Sequence, residues 1–377
     1  MLVLLYVFVG VVCIQLYFYL AFFSRFSFGK HHETNNRFPS VSVVICAKNE
    51  AENLRRFLPK VINQKYPKFQ VVLINDASYD DTLEVMEDLQ SKHPNLIKIV
   101  NVKNNEAFWA NKKYALTLGI KAAKYEYLIF TDADCEPASD RWLQHITSQF
   151  TSSKRIVLGY GPYFKVKHSF LNKLIRFETL MTAIQYFSYA KAGMPYMGVG
   201  RNLAYTKNDF FKVNGFIKHM HVRSGDDDLF INQVAQAENT AICIHPESFT
   251  FSTPKQTWKT WFDQKRRHIS TAQHYKPLHK VLLALYYSCN LLFWLLMIIL
   301  LISQFEWKIV LGIIAIKFIL QWVIVGFGAK KLHERDLLWL LPFYELLLIC
   351  FQLTIFISNR ISKPAPWKQA KPSLTAT

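Results

Sequence analysis

Residues 41–64 have the sequence VSVVICAKNEAENLRRFLPKVINQ, and this stretch decides the fold class. Val41 to Cys46 are rich in β-branched residues, which predicts a buried strand. A polar loop follows at Ala47 to Glu50, and Glu52 to Gln64 then has the apolar spacing of a helix. We therefore predict a strand, a polar loop and a helix in immediate succession.

The same succession recurs three more times. Further strands are predicted at Phe69–Asn75, Leu96–Val100 and Tyr127–Thr131, with helices after them at Asp81–Gln90, Asn111–Ala123 and Asp140–Phe150. A spacing of roughly 30 residues is what a β-α-β unit requires. The sequence thus predicts an α/β fold with a mainly parallel, Rossmann-like sheet and helices on both faces.

Acidic side chains follow several of these strands. Glu50 follows the first, Asp76 the second, and Asp132 and Asp134 the fourth. Ligands of such sheets bind at the carboxyl ends of the strands, and the chain has neither a G-x-G-x-x-G nor a Walker sequence. Phosphates would then be held through a divalent cation, so we predict that Asp132 and Asp134 bind Mg²⁺ or Mn²⁺. A lone D-x-D is more often a solvated turn or helix cap, but several acidic clusters at one sheet edge favour a site.

The chain has 377 residues, is 51% hydrophobic, and carries 45 Lys and Arg against 27 Asp and Glu, a net charge of +18. Only 19% of its residues are charged, which excludes disorder, collagen and coiled coil. Met1 to Phe23 has no charged residue and is long enough to cross a bilayer. The basic residues Arg25, Lys30 and Arg37 come after this run, which predicts a permanent anchor with the following chain in the cytosol.

Three more apolar runs follow the middle region, at Val281–Ile302, Ile309–Ala329 and Leu337–Ser358. The first two form a hairpin that returns to basic residues at the cytosolic side. For the third we prefer a full crossing, but a re-entrant or interfacial segment would keep the basic tail inside. Lys317 and Glu345 lie inside these runs, where ionisable groups are either functional or paired within the bundle.

These observations predict a multi-pass protein of the cytoplasmic (inner) membrane with its catalytic domain in the cytosol. The expected segments are an anchor at 1–24, a cytosolic domain at 38–275, membrane segments at 279–358 and a basic tail at 359–377. The six cysteines contain no C-x-x-C pair and no regular spacing, so they support neither a disulfide framework nor a cysteine zinc site.

The motifs and their order resemble the family 2 glycosyltransferases, which are inverting enzymes with the nucleotide-sugar-binding GT-A fold. The resemblance covers about Val41 to His268. The membrane layout is similar to the branch that includes hyaluronan, chitin and cellulose synthases and ceramide glucosyltransferase. The matching stretches are VVICAKNEAE at 43–52, VLINDAS at 72–78, NKKYAL at 111–116, FTDADC at 130–135 and SGDDDL at 224–229.

The resemblance implies roles on the donor side. Asp76 would contact the nucleobase, with Ala47, Asn49 and Glu50 in a loop near the base and ribose. Lys112 would approach the diphosphate, and Asn111 replaces the glycine that is usual before it. Asp132 and Asp134 would bind the metal and the diphosphate. Asp132 would also engage the ribose.

Asp227 matches the general base of the family. An inverting transfer displaces the diphosphate in line, so a carboxylate must take a proton from the acceptor hydroxyl on the opposite face. That carboxylate should not be a metal ligand, and Asp227 is far in sequence from the D-x-D. Its neighbour Asp226 could instead cap an apolar helix predicted at Leu229–Ala237.

Membrane-bound members of the family carry Q-x-x-R-W, where the arginine binds pyrophosphate and the tryptophan lies under the acceptor sugar. Here Gln264 and Arg267 are followed by His268, so the tryptophan position holds a histidine. Arg267 can still hold phosphate oxygens. A juxtamembrane basic helix in contact with anionic lipid is the alternative for this stretch.

Further residues are assigned to the acceptor side: Gly200, Arg201, Asp226, Gln264 and His268. Phe170 to Tyr189 is suited either to lie on the membrane or to form an amphipathic core helix. The sequence therefore predicts an inverting transferase that moves sugar from a nucleotide sugar, with UDP preferred, to a lipid or lipid-linked glycan. The alternatives are a processive polysaccharide synthase and a membrane-tethered module that binds anionic lipid or nucleic acid. The acidic crevice argues against nucleic acid as a partner.

Overall fold

The computed structural model describes residues 1–30, 38–103, 112–222 and 224–364. Within these ranges it has a seven-stranded sheet, a two-stranded sheet and long apolar helices at both ends. Asn111 and most of the predicted basic tail lie outside the described residues.

Four parallel strands form one half of the large sheet, in the order β3-β2-β1-β4. They begin and end within a residue or two of the predicted bounds, so the predicted Rossmann-like α/β sheet is confirmed. The strands are β1 (Val41–Ala47), β2 (Phe69–Asp76), β3 (Ile97–Val102) and β4 (Tyr127–Phe130).

Helices cover both faces of these strands, which explains why every residue of β1 is buried. Val43 and Ile45 belong to the same apolar cluster as Leu54 of α3 (Ala51–Ile62). The alternate residues of β1 face the opposite cluster, which contains α5 (Lys112–Ala122). At Gly119 of α5, an added Cβ would lie 2.1 Å from Cδ1 of Ile74, so only glycine lets the helix approach β2 this closely. On the other face, α4 (Thr82–Lys92) packs beside α3.

The other half of the large sheet is mixed. β7 (Leu203–Thr206) pairs antiparallel with β4 and with β6 (Ile156–Leu158), and β8 (Thr240–Ile242) is parallel to β6. A separate ribbon joins β5 (Cys135–Pro137) to β9 (Thr250–Ser252). This ribbon ties the chain after residue 250 to the segment that follows Asp134. Short helices in this half are α6 (Trp142–Thr147), α8 (Lys207–Lys212) and α9 (Asp228–Val234).

Four segments of the described chain are long and apolar enough to cross a membrane. The first, Leu2–Ser27, runs from α1 (Leu2–Tyr17) through a π-helical turn into α2 (Ser24–Ser27). The others contain α11 (Pro277–Ile302), α12 (Trp307–Lys331) and α13 (Leu341–Ile361). One N-terminal and three C-terminal apolar helices agree with the predicted layout.

Two helices of the domain contact the apolar helices. α7 (Phe170–Lys191) is buried along most of its length and contacts α2, α12 and α13, so it is a core helix between domain and bundle. α10 (Trp258–Ile269) packs mainly on α13. The indole of Trp261 stacks on the ring of Phe351, with centroids 3.9 Å apart.

Both ends of α13 contact helices of the domain. Near its start, the ring of Tyr344 packs against Phe177 of α7. Near its end, the guanidinium of Arg266 donates hydrogen bonds to Asn359 Oδ1 at 2.8 Å and to the carbonyl oxygen of Ser358 at 3.3 Å. These contacts hold both ends of α13 against the domain, and the full crossing stays a prediction.

Lys317 and Glu345 pair with each other inside the apolar bundle. Nζ of Lys317 lies 2.6 Å from Oε2 of Glu345, and Gln321 bonds to both side chains. The three side chains thus satisfy one another's hydrogen bonds and charges, which agrees with pairing inside the bundle. The ammonium of Lys317 is buried and does not reach out of the bundle.

Candidate active site

A cavity of about 1500 Å³ opens at the carboxyl ends of β1, β2 and β4. Its lining contains most of the predicted site residues: Glu50, Lys112, Asp132, Asp134, Gly200, Arg201, Asp226, Asp227, Gln264, Arg267 and His268. Strand order explains the grouping, because the ends of adjacent parallel strands meet at one edge of the sheet.

Asp132 and Asp134 follow β4 and lie side by side. Ligand atoms of these two residues and of Cys135 lie within 4.8 Å of one another. Burial and the neighbouring charge of Asp132 raise the pKa of Asp134, which is the electrostatic strain that a bound cation relieves. Burial also raises the pKa of the Cys135 thiol, so it remains protonated and donates to Asp134 Oδ1 at 3.5 Å. The two carboxylates therefore fit a divalent cation with a preference for oxygen ligands.

Lys112 connects the D-x-D to the second acidic cluster. Its Nζ lies 3.1 Å from Asp132 Oδ1 and 3.0 Å from Asp226 Oδ2. Burial disfavours the charged amine, but the two carboxylates outweigh burial and hold the pKa of Lys112 well above its usual value. The ammonium is therefore a permanent positive charge at the centre of the cavity.

Asp227 lies across the cavity at the start of α9. Its Oδ2 accepts a hydrogen bond from the backbone N–H of Gly200 at 2.7 Å, and its Oδ1 accepts one from the N–H of Asp228 at 2.8 Å. Burial, together with the charges of Asp226 and Asp228, raises the pKa of Asp227 to about 7. A carboxyl with this pKa can accept a proton near neutral pH.

The structure corrects the predicted cap of this helix. α9 runs from Asp228 to Val234 rather than from Leu229 to Ala237, and its N-cap is Asp227 rather than Asp226. Asp226 faces Lys112 instead. The capping bond and the bond from Gly200 fix the orientation of the Asp227 carboxylate.

Asp228 also lines the cavity, but hydrogen bonds within the protein hold its carboxylate. Its Oδ2 accepts hydrogen bonds from the hydroxyls of Thr271 and Tyr275, the latter at 2.6 Å. These bonds attach the acidic triplet to the connection between α10 and α11. The position of the triplet is thereby coupled to the membrane segments.

Lys113 is a site residue that the sequence analysis missed. It is buried, and its ammonium donates to the backbone carbonyls of His219 at 2.7 Å, Val222 at 2.9 Å and Ser224 at 2.7 Å. This loop leads directly into Asp226 and Asp227. The sequence motif assigned a role to Lys112 but not to Lys113. The partners of Lys113 are backbone carbonyls, which no sequence pattern identifies.

The predicted donor residues around β1 and β2 differ in their exposure to the cavity. Glu50 lines it, but Ala47 is fully buried in the core, and Asn49 uses its backbone N–H and its Oδ1 to hold residues 78 and 79. Asp76 lies at the end of β2 with Oδ2 3.9 Å from Nζ of Lys48, which lines the cavity. Among the described residues, this oxygen of Asp76 accepts no hydrogen bond.

Arg201 lies behind the D-x-D. Its guanidinium lies over the ring of Tyr163, with 4.3 Å from Cζ to the centroid, and donates to Ser252 Oγ at 3.1 Å. Burial opposes the charged guanidinium, but Tyr163 and Cys135, followed by Asp132 and Asp134, outweigh burial and raise the pKa of Arg201. Arg201 thus lines the cavity near the D-x-D, and its assignment to the acceptor side stays a prediction.

α10 contributes Gln264, Arg267 and His268 to the lining. Burial lowers the pKa of Arg267, although arginine remains protonated. The side chain of His268 is exposed toward the cavity. Desolvation by the cavity walls, and next the positive charges of Lys265 and Arg267, lower the pKa of His268 well below its usual value. The imidazole is therefore neutral near pH 7.

A second group of metal-ligand types, His145, His245 and Glu247, lies outside the cavity lining. Nε2 of His145 is hydrogen-bonded to Glu247 Oε2 at 2.8 Å, and the two imidazole rings stack 3.8 Å apart at 10°. An ion binds in the plane of an imidazole ring, and parallel stacked rings cannot both point at one ion. As arranged, the cluster is a hydrogen-bonded pair rather than a metal centre.

The sheet order, the D-x-D after β4 and the cavity at the strand ends define a GT-A domain. The fold is shared with a mannosyltransferase from Pyrobaculum calidifontis, solved in complex with GDP-mannose and Mn²⁺. That structure superposes with a TM-score of 0.59 over 88% of this chain and 97% of that chain, at 17% identity.

Sequence comparisons agree with this fold. Residues 42–221 match the family model described as glycosyl transferase family 2. A poly-β-1,6-N-acetyl-D-glucosamine synthase of Staphylococcus epidermidis is 30% identical over 138 residues, which are 37% of this chain and 32% of that protein. A 4,4′-diaponeurosporenoate glycosyltransferase of Staphylococcus haemolyticus is 27% identical over 202 residues, 52% of each chain. The chain thus spans a third to a half of the length of these relatives. Residues 42–221 thus form a domain that resembles the family 2 glycosyltransferases in sequence and has the GT-A fold.

Proposed function

We propose that this protein transfers a sugar from a nucleotide-sugar donor to a hydroxyl of a lipid or lipid-linked glycan, with inversion at the anomeric carbon. One observation carries the proposal. The cavity that holds the D-x-D and Asp227 continues without interruption to Leu283 of α11 and to Leu348, Phe351 and Ile355 of α13. A site that joins carboxylates to the apolar faces of membrane-type helices suits a polar donor and a lipid-borne acceptor.

The donor occupies the strand ends in this proposal. Asp76 offers a nucleobase N–H a buried carboxylate oxygen that accepts no hydrogen bond from the described residues, and Lys48 and Glu50 line the cavity nearby. We expect a UDP-sugar. The Pyrobaculum neighbour binds GDP-mannose, so guanosine donors belong in the test.

Asp132 and Asp134 would hold Mg²⁺ or Mn²⁺. The cation, when bound, neutralises negative charge on the departing nucleoside diphosphate. Lys112 places its permanent charge between Asp132 and Asp226 and so acts on the same diphosphate from the protein side. Arg267, which lines the cavity from α10, supplies a planar guanidinium that matches phosphate oxygens.

Asp227 acts as the general base. Its two hydrogen bonds come from backbone N–H groups, so its orientation does not depend on a mobile side chain. It takes the proton of the acceptor hydroxyl while that oxygen attacks the anomeric carbon and the diphosphate leaves on the opposite side. Its elevated pKa matches this task at neutral pH.

We infer that the domain faces the cytosol. Arg25, Lys30, Lys330 and Lys331 flank apolar segments, and basic residues mark the cytosolic side. The ammonium of Lys331 donates to the carbonyls of Phe26 at 2.7 Å and Gly29 at 2.6 Å. These bonds hold the ends of the first and third apolar helices together beside the domain.

A processive polysaccharide synthase is the second candidate, and the similarity to the poly-N-acetylglucosamine synthase favours it. In this chain His268 stands where the synthases resembled above carry tryptophan. A neutral imidazole offers a smaller stacking face to a growing glycan than an indole. We therefore place single or few-sugar transfer first.

The test is a donor screen with purified protein in phosphatidylcholine nanodiscs. UDP-glucose, UDP-galactose, UDP-N-acetylglucosamine and GDP-mannose are assayed for binding and for nucleoside diphosphate release, with Mn²⁺, with Mg²⁺ and with excess EDTA. We expect metal-dependent binding of one donor class, and release that increases when extracted membrane lipid is added. Absence of binding by every donor in both metals would rule the proposal out.

A further inference from the structure

The cavity has a region beyond Asp227 that lies between α7, α10 and α13, and we call it the acceptor arm. It is lined by Glu178, Thr182, Gln185, Gln264, Gln352 and Phe351. Most of these side chains are uncharged hydrogen-bonding groups. The composition of the arm therefore differs from that of the acidic sheet edge and from that of the apolar end.

The charges of the acceptor arm are neutralised internally. Nζ of Lys265 lies 2.5 Å from Oε2 of Glu178, and the two side chains are only 13% and 11% exposed. The hydroxyl of Thr182 donates to the other carboxylate oxygen of Glu178 at 3.2 Å. The ammonium of Lys265 is thus engaged, and an anionic headgroup would have to be buried beside the Glu178 carboxylate.

One acceptor oxygen in the arm lacks a hydrogen-bond donor. Gln264 Oε1 is buried and accepts no hydrogen bond from any described residue. An unsatisfied buried acceptor is costly, and a ligand hydroxyl satisfies it whereas an ionised phosphate or carboxylate has no proton to donate. Arg267 is the remaining cation of α10 in this region, and the donor diphosphate engages it in the proposed function.

We propose that the acceptor arm binds an uncharged, hydroxyl-rich headgroup carried on a lipid, of the glycoside or glycerol type, and that it discriminates against lipid phosphates and fatty carboxylates. Gln264 is the residue that accepts a hydrogen bond from this headgroup. The inference rests on the proposed function, because it concerns the acceptor of the same reaction. It narrows the acceptor class, which the fold leaves open.

The first experiment compares four defined acceptors with the full chain in phosphatidylcholine nanodiscs, since glycoside detergents would themselves act as acceptors. The probes are octyl β-D-glucoside, dioleoylglycerol, undecaprenyl phosphate and oleic acid, each with the donor that binds. Mass spectrometry of the lipid fraction should show a glycosylated product with the glucoside or the diacylglycerol, and these two arms separate a sugar from a glycerol headgroup. Comparable product with undecaprenyl phosphate or oleate would overturn the inference, as would donor binding without transfer to either neutral lipid.

The second experiment uses Gln264→Met, which removes the acceptor oxygen at similar volume. The expected result is a KM for the neutral acceptor about tenfold higher, with the donor Kd unchanged, because one hydrogen bond to a neutral group is lost. The matched control is Gln273→Met on the exposed connection after α10, which should change neither constant. An unchanged acceptor KM in Gln264→Met contradicts the inference. If the wild-type chain bound no donor, the proposed function itself would be contradicted. Failure of the proposed function can therefore be distinguished from failure of the inference about the acceptor.

Discussion

The backbone N–H of Gly200 donates a hydrogen bond to Oδ2 of Asp227 over 2.7 Å, across 27 positions of sequence. A Cβ at position 200 would lie 3.3 Å from the same oxygen, which is tighter than most real contacts. Any residue except proline could donate this hydrogen bond, but the close approach favours a residue without a side chain at position 200. The relationship fixes where the proposed base presents its carboxylate.

Gly200→Ala should therefore displace the Asp227 carboxylate by a few tenths of an ångström. We expect turnover to fall about tenfold or more with donor affinity near wild type, because misplacement affects the reacting geometry and not the donor contacts. The matched control is Gly312→Ala in α12, where an added Cβ meets no atom within 4 Å. Steady-state kinetics and donor titration measure both effects. Equal loss in the control would show that the effect is not local.

Asp227→Asn should lower turnover by roughly 10²-fold or more while donor binding stays near wild type. The pH profile gives an independent check. The pKa of Asp227 is about 7, and only the ionised form accepts a proton, so wild-type kcat/KM should decline as pH falls below 7 and level off above it. The acidic decline should disappear from the residual activity of the variant. Parallel loss of donor binding would instead make Asp227 a donor-site residue.

Asp134→Asn should abolish transfer and remove the Mn²⁺ or Mg²⁺ dependence of donor binding without unfolding the protein. The reason is that an amide is a weaker ligand for a hard cation than a carboxylate. Isothermal titration with donor, with and without metal, measures the effect, and a thermal melt checks the fold. Asp88→Asn, at an exposed ion pair with Lys92, is the control. Full wild-type activity in excess EDTA would contradict the assignment of Asp132 and Asp134 as metal ligands.

Lys113→Met should reduce turnover strongly, because the carbonyls of residues 219, 222 and 224 lose their shared donor and the loop before Asp226 is no longer fixed. Lys113→Arg keeps a cation with several donors and should restore part of the activity. Lys121→Met, at the exposed end of the same helix, should behave as wild type. Hydrogen exchange of residues 217–225 reports the loop directly. Unchanged exchange together with lost activity would contradict a positioning role.

Arg267→Ala should cost more activity than His268→Ala, since the guanidinium acts on the diphosphate and the neutral imidazole only lines the acceptor side. Lys259→Ala, exposed on the same helix, is the control. The product should remain in the lipid fraction as discrete species with one or a few added sugars. A high-molecular-weight glycan made by the purified protein alone, seen by size exclusion, would promote the synthase alternative.

The local patterns of the sequence determined the domain class. Strand bounds such as Val41–Ala47 were predicted to within a residue because β-branched runs and polar breaks are properties of neighbouring residues. The D-x-D could be placed at the sheet edge for the same reason, since a strand end is visible in the sequence. The assignment of the binding roles still rests on the family resemblance and is open to the tests above.

Only the tertiary structure decided how remote residues combine. The bond from Gly200 to Asp227, the loop held by Lys113 and the ion pair of Lys317 with Glu345 join residues that are 27, more than 100 and 28 positions apart. The same is true of α13, whose ends are held beside α7 and α10 although its composition alone suits a full crossing. Periodicity records which face of an element is apolar, but not which other element covers it. Partner choice is set by the packing of the whole chain, and the acceptor arm exists only because α7, α10 and α13 meet.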